Sequence, residues 1–300
     1  MSVLHVVRYG ERGDHDVPLL AVHGVTGHAR RWERLATQAW PQRGVVAVDL
    51  RGHGFSTWEP PWSLGQAVDD LLDTLDHLGL DVVDLVGHSY GGALGIHLLA
   101  RAPDRLRRLV LLDPGFDRPR GLMAAEAAGF LAADGWSTLD EAIAARSAGW
   151  LRVDASDGTV GGGLAGRDGA AGALHPDVAD EVDRHLVEGP DGRFRFRFAR
   201  AAAVTILGEL CLPVPAVTAP RPTLLVTATT AGVVTPAVVA RLRAELGPAL
   251  DEATLPCGHM VFWDRFDETA ALVDRFLGAA GACPGPDAAP DPSADARARA

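Results

Sequence analysis

A serine set between glycines is the feature of this sequence most suggestive of chemistry. It lies in Gly87-His88-Ser89-Tyr90-Gly91-Gly92, after the apolar run Val83-Asp84-Leu85-Val86 and ahead of a helical pattern over 93–101. A G-x-S-x-G pentapeptide between a strand and a helix reads as a nucleophile elbow. Glycines at 87 and 91 let the chain reverse without Cβ clashes, and the reversal pushes the Ser89 hydroxyl into a cleft. The helix start behind it offers free N–H groups and the positive end of a dipole, both suited to a developing oxyanion. Serine at its free pKa is a poor nucleophile, so this chemistry needs a base within hydrogen-bond reach.

Such a corner needs a rigid frame. Short apolar runs alternate with helical patterns, which predicts βαβ units and a mostly parallel sheet. Strands are expected over 3–8, 19–22, 44–49, 83–87, 109–112, 223–227 and 253–255. Several are almost wholly apolar, as in strands covered on both faces. A helix is expected over 64–78: Ser63 and Gln66 form a capping-box pattern, Leu64, Val68, Leu71, Leu72, Leu75 and Leu78 share a stripe, and Gly79 stops it. Between about 117 and 190 the strand rhythm gives way to Ala-rich helical stretches and the run Gly161-Gly162-Gly163, which reads as an insertion over the sheet. The alternation Arg193-Phe194-Arg195-Phe196-Arg197-Phe198 is expected as a short edge strand with one aromatic face packed and one Arg face solvated. Residues 281–300, rich in Pro, Ala and Asp, read as a disordered tail.

Three further motifs stand in order around the elbow. His23-Gly24-Val25-Thr26-Gly27 ends an early strand, Asp49-Leu50-Arg51-Gly52-His53-Gly54-Phe55-Ser56 follows the next, and Cys257-Gly258-His259-Met260 follows the last. Together with the elbow they resemble the α/β-hydrolase superfamily, particularly its lidded members. The resemblance covers roughly 1–116 and 191–280 as the core, with 117–190 as the inserted helical cap. It implies an α/β-hydrolase fold with a mostly parallel central sheet and helices on both faces. It also implies that Ser89 is the nucleophile, His259 the general base, and the backbones of Val25 and Tyr90 the oxyanion donors. The D-x-R-G-x-G turn is structural in such proteins, so His53 is not expected to be catalytic, and His23 is read as a structural hydrogen-bonding residue rather than a base. With Ser in the elbow, Cys257 is read as a packing residue.

The usual acid is missing. Family members place it after the penultimate strand, but here that loop reads Ala228-Thr229-Thr230-Ala231-Gly232-Val233-Val234-Thr235-Pro236, and Ala231 stands at the acid position. Alanine can neither orient an imidazole nor stabilise an imidazolium. Some relatives carry the acid one strand earlier, where this chain has Leu111-Leu112-Asp113-Pro114-Gly115, so Asp113 is assigned as the acid. Asp264, Asp267 and a Ser–His dyad without an acid are the alternatives.

Composition excludes several other chemistries. The sequence of 300 residues has no Lys, which removes Schiff-base catalysis, and its net charge of −11 has the wrong sign for nucleic acid or an anionic membrane. Cys211, Cys257 and Cys283 show no metal-ligand spacing; no metal or organic cofactor is expected. No signal peptide or spanning segment is read, and a cytoplasmic protein fits best. The expected activity is hydrolysis of a small to medium apolar ester, thioester or lactone through a Ser-His-Asp triad and an acyl-enzyme. Phe130, Trp136 and Trp150, with Leu122, are the candidate substrate contacts in the cap. C–C bond hydrolysis or a lyase reaction by the same Ser–His pair is the alternative, and a non-catalytic binding protein on this scaffold a third.

Overall fold

The computed structural model describes residues 2–10, 17–143 and 184–278; Trp150 and the expected tail lie outside them. Nine strands are described: β1 (Val6–Tyr9), β2 (Leu19–Val22), β3 (Val45–Val48), β4 (Val83–His88), β5 (Leu106–Leu112), β6 (Leu186–Glu188), β7 (Phe194–Phe196), β8 (Thr223–Ala228) and β9 (Leu250–Leu255). Seven of them form one sheet in the order β1-β3-β2-β4-β5-β8-β9. Only β1 runs antiparallel to its neighbour; every other pairing is parallel, as the alternation of strand and helix requires.

Period-two alternation splits the core into two layers. Leu20, Val22, Val46, Val48, Leu85, Leu109 and Leu111 face one side. There they pack against the stripe of α1 (Leu64–His77) and against α2 (Tyr90–Arg101). Leu19, Ala21, Val45, Ala47, Val86, Val110 and Leu112 face the other, against Trp32, Trp40 and the C-terminal helix. Both faces are therefore covered, which is why these strands read as continuous apolar runs. Further α-helices among the described residues include α3 (Arg120–Ala132), α4 (Arg200–Glu209), α5 (Pro236–Leu246), α6 (Val261–Asp264) and α7 (Phe266–Gly278).

β1 lies at 6–9 rather than 3–8, and β9 begins at 250 rather than 253. Three further differences from the sequence expectation each have a physical reason. β5 starts earlier than apolarity suggests, because Arg107 and Arg108 lie within it; Arg107 grips the fully buried Asp84 with two bonds of 2.9 and 2.5 Å. The capping box is half made: the Ser63 hydroxyl accepts from the Gln66 amide at 3.3 Å, while the Gln66 side chain turns forward to Asp70. The Arg-Phe alternation does not add an edge to the main sheet. Its central part, β7, pairs with β6 in a separate two-stranded ribbon, and Phe194 also bridges Trp136. The aromatic face is packed as expected, but against other residues around the ribbon: Trp136 meets Phe196 at 5.7 Å and Phe130 meets Phe198 at 5.8 Å, both edge to face.

Candidate active site

β4 ends at His88 and α2 begins at Tyr90, so Ser89 alone makes the corner. Its backbone sits at φ 54° and ψ −116°, a setting that costs a non-glycine residue of order 1–3 kcal/mol and persists only when the surroundings enforce it. Enforcement comes from both sides. The Ser89 amide donates to the Leu112 carbonyl at 3.0 Å, and the Ser89 carbonyl accepts from Gly92 and Ala93 at 3.0 and 3.1 Å. A Cβ on Gly91 would lie 2.1 Å from the Val22 carbonyl oxygen, so glycine alone permits this close approach of helix to sheet.

Asp113 is the first residue beyond β5, fully buried and held at φ 45°. Its Oδ1 accepts from the Ala228 amide at 3.1 Å, and its Oδ2 lies 2.6 Å from Nδ1 of His259. A carboxylate at Nδ1 selects the tautomer in which that nitrogen carries the proton and Nε2 keeps its lone pair. Of the two alternative aspartates, Asp264 accepts from the Gly258 amide at 2.8 Å, and Asp267 occupies the first turn of α7. Ala231 packs against apolar core.

The loop carrying His259 has two supports that sequence reasoning missed. Nε2–H of His88 donates to the His259 carbonyl at 2.9 Å, with the two rings 4.6 Å apart. Burial, reinforced by the neighbouring His259, holds the His88 imidazole well below the ordinary histidine range, so it stays neutral. The Thr230 hydroxyl donates to the Cys257 carbonyl at 2.5 Å. Both contacts join segments remote in sequence through backbone carbonyls, and no local pattern announces that. Burial pushes the Cys257 thiol up to about 12, which keeps it an inert packing group.

The loop after β2 is held by two neutral histidines. His23 donates from Nδ1 to the Gly24 carbonyl at 2.7 Å and accepts from the Leu50 amide at 3.0 Å. His53 donates from Nδ1 to the Arg51 carbonyl at 3.1 Å and accepts at Nε2 from the Thr26 amide at 3.3 Å. Burial lowers both, His53 to about 4. Asp49 caps the same region, accepting from Ala29 at 2.7 Å and Phe55 at 3.0 Å, and Arg51 pairs with Asp70 through two bonds of 2.7 Å. Amid this bonding, the amides of Val25 and Tyr90 find no acceptor among the described residues. They remain available to an incoming oxygen.

This frame can be set beside known proteins. The alpha/beta hydrolase family model matches residues 19–272. The chain belongs to the alpha/beta hydrolase family. It is 36% identical to Lipase LipV of Mycobacterium tuberculosis, over 92% of this chain and 98% of that one. A 2-hydroxy-6-oxo-2,4-heptadienoate hydrolase of Pseudomonas putida is 40% identical over 110 residues, covering 33% of this chain and 39% of that protein. Among solved structures, E-2-(acetamidomethylene)succinate hydrolase has the same fold, with a TM-score of 0.73 at 20% identity, over 92% of this chain and 95% of that one.

In this alpha/beta hydrolase a cavity of about 590 Å³ lies between α3 and the β6–β7 ribbon. Phe130, Trp136, Phe196 and Phe198 line it, whereas Ser89 and His259 do not. Phe198 also stacks on His53, which accepts from the Thr26 amide, so one ring separates the cavity wall from the loop after β2. Leu122 points elsewhere: it is exposed and is not part of the cavity lining. The guanidiniums of Arg195 and Arg200 at the rim are occupied, Arg195 by Asp191 and Arg200 by the Ala133 carbonyl.

No helix among the described residues is long and apolar enough to cross a membrane.

Proposed function

We propose that this chain is a serine hydrolase of small to medium apolar carboxylic esters, thioesters or lactones. The observation that carries this is the 2.6 Å contact between Asp113 and Nδ1 of His259, beside the strained corner that presents Ser89. The Ser89 oxygen attacks the substrate carbonyl as its proton passes to Nε2 of His259. The Val25 and Tyr90 amides hold the oxyanion, and Asp113 stabilises the imidazolium. His259 then gives the proton to the leaving oxygen or sulfur, leaving an acyl group on Ser89. A water molecule, deprotonated by His259, releases the acid and restores the serine. Each group needed is a side chain or amide of this chain, so no metal or organic cofactor enters the scheme.

Residues 117–190 are proposed as part of a cap over this site, and Phe130 and Trp136 as contacts for the apolar part of the substrate. The cavity they line supports that assignment, since apolar walls with few polar groups favour an alkyl or aryl moiety. Similarity to a lipase along nearly the whole chain supports ester chemistry. The cysteines at 211 and 257 are free, which suits a reducing compartment such as the cytoplasm.

Hydrolysis of a C–C bond is the second reading, and the partial match to the heptadienoate hydrolase favours it. Assays of p-nitrophenyl esters and of a 2-hydroxy-6-oxo-dienoate, side by side with a Ser89→Ala control, separate the two. Ester turnover abolished by the substitution supports the first reading; turnover of the dienoate alone replaces it with the second.

A further inference from the structure

The sheet order puts a strand between the acid and the base. Asp113 leaves the end of β5 and His259 follows β9, while β8 lies between them. Neighbouring strands are about 4.8 Å apart, so the acid and the base start from strands separated by roughly twice that. Whatever stands on the end of β8 therefore governs whether the two side chains meet. That element is the loop in which Ala231 replaces the usual acid.

Its bonds reach both partners. Ala228, at the root of the loop, donates to Oδ1 of Asp113 at 3.1 Å. Thr229 donates to the Leu255 carbonyl at 2.9 Å, and Thr230 grips the Cys257 carbonyl twice, from its amide at 3.2 Å and its hydroxyl at 2.5 Å. Cys257 is two residues from His259. The far end of the loop is tied back to the acid's own segment: Nη1 of Arg118 donates to the Gly232 and Val233 carbonyls at 3.0 and 2.9 Å. One short stretch thus touches the acid, the base loop and the segment five residues beyond the acid.

We propose that residues 228–233 form a bracket that sets Asp113 and His259 at bonding distance, and that Thr230 and Arg118 are positioning residues for the acyl transfer. This rests on the serine-hydrolase function proposed above. The loop contributes no carboxylate; it holds the one supplied by the adjacent strand. Thr230 acts through the Cys257 carbonyl, to which both its amide and its hydroxyl donate.

Thr230→Val keeps the shape of the side chain and removes the hydroxyl; Thr230→Ser keeps the hydroxyl. The valine variant is expected to lose kcat roughly tenfold or more with KM within about twofold, and the serine variant to restore it. In an Asp113→Asn background the same valine substitution should cost less than about twofold, because the contact it adjusts is already gone. Arg118→Met tests the other end of the bracket by the same comparison, should the valine variant fold poorly. A readout independent of turnover is the low-field proton resonance of His259 Nδ1–H, assigned by its loss in Asp113→Asn. It should broaden or move in Thr230→Val and persist in Thr230→Ser. Unchanged kcat and an unchanged resonance in Thr230→Val overturn the bracket, as does an equal cost in both backgrounds. If wild-type protein shows the resonance and its Thr230 dependence but turns over no ester, the bracket stands and the ester assignment fails.

Discussion

Oδ2 of Asp113 lies 2.6 Å from Nδ1 of His259, although 146 residues separate them in the chain. The carboxylate has no exposed surface, and its second oxygen is held by the Ala228 amide. A carboxylate bound at both oxygens is fixed in direction. It can hold the imidazole in a single orientation, with the proton on Nδ1 and the lone pair on Nε2.

Asp113→Asn should therefore lower kcat by between about a hundredfold and ten-thousandfold with little change in KM, because the amide can favour the wrong tautomer and cannot stabilise the imidazolium. Initial rates over a range of ester concentrations check this. Wild-type turnover by the variant would remove Asp113 from the mechanism.

The cavity makes a separate claim about substrate size. Gly129 lines it, and a Cβ on Gly129 meets nothing within 4 Å, so a larger side chain can start there without displacing the backbone. Replacing a helical glycine also favours the helix, by up to about 1 kcal/mol. Gly129→Trp is expected to cut kcat/KM for octanoate or decanoate esters about tenfold or more while sparing acetate esters. Equal loss across the chain-length series would mean the cavity does not receive the substrate's tail.

Acid should destabilise this protein early. The folded-state value of His53 is lowered to about 4 by burial, against 6.5 for a free histidine. A depressed value means that the unfolded chain binds the proton first. The stabilising contribution is thus complete above about pH 6.5 and is lost as pH falls from there toward 4. His23 and His88 act in the same direction. Urea unfolding at pH 7.5 and 4.5 should show a drop that is smaller in His53→Gln, by roughly 2 to 3 kcal/mol if the shift is fully expressed. Equal drops would show that His53 does not titrate on unfolding.

Much of the frame was legible because its signals are local. The elbow announces itself through a strand, two glycines and a helix start, all within a few residues of Ser89. Strands buried on both faces are apolar throughout, and α1 carries its cap and its stripe in its own sequence. Legibility fails where partners are remote or charge is buried. Arg107 and Arg108 hid the start of β5, since only the fold brings Asp84 alongside. β6 is three residues with a weak apolar signal, so the ribbon it makes with β7 could not be told from an edge strand. His88 was visible only as the variable position of the elbow; its bond to the His259 carbonyl spans 171 residues. The aspartate that meets His259 was the least legible feature, because the loop after β8 lacks a carboxylate and only the fold brings the end of β5 to residue 259.

The most direct test of the proposed chemistry is intact-mass analysis after reaction with a fluorophosphonate. One adduct per chain is expected, mapped by peptide sequencing to Ser89, absent in Ser89→Ala and strongly slowed in His259→Ala. Folded wild-type protein that takes up no label, or takes it up at another serine, would contradict the assignment of Ser89 as nucleophile.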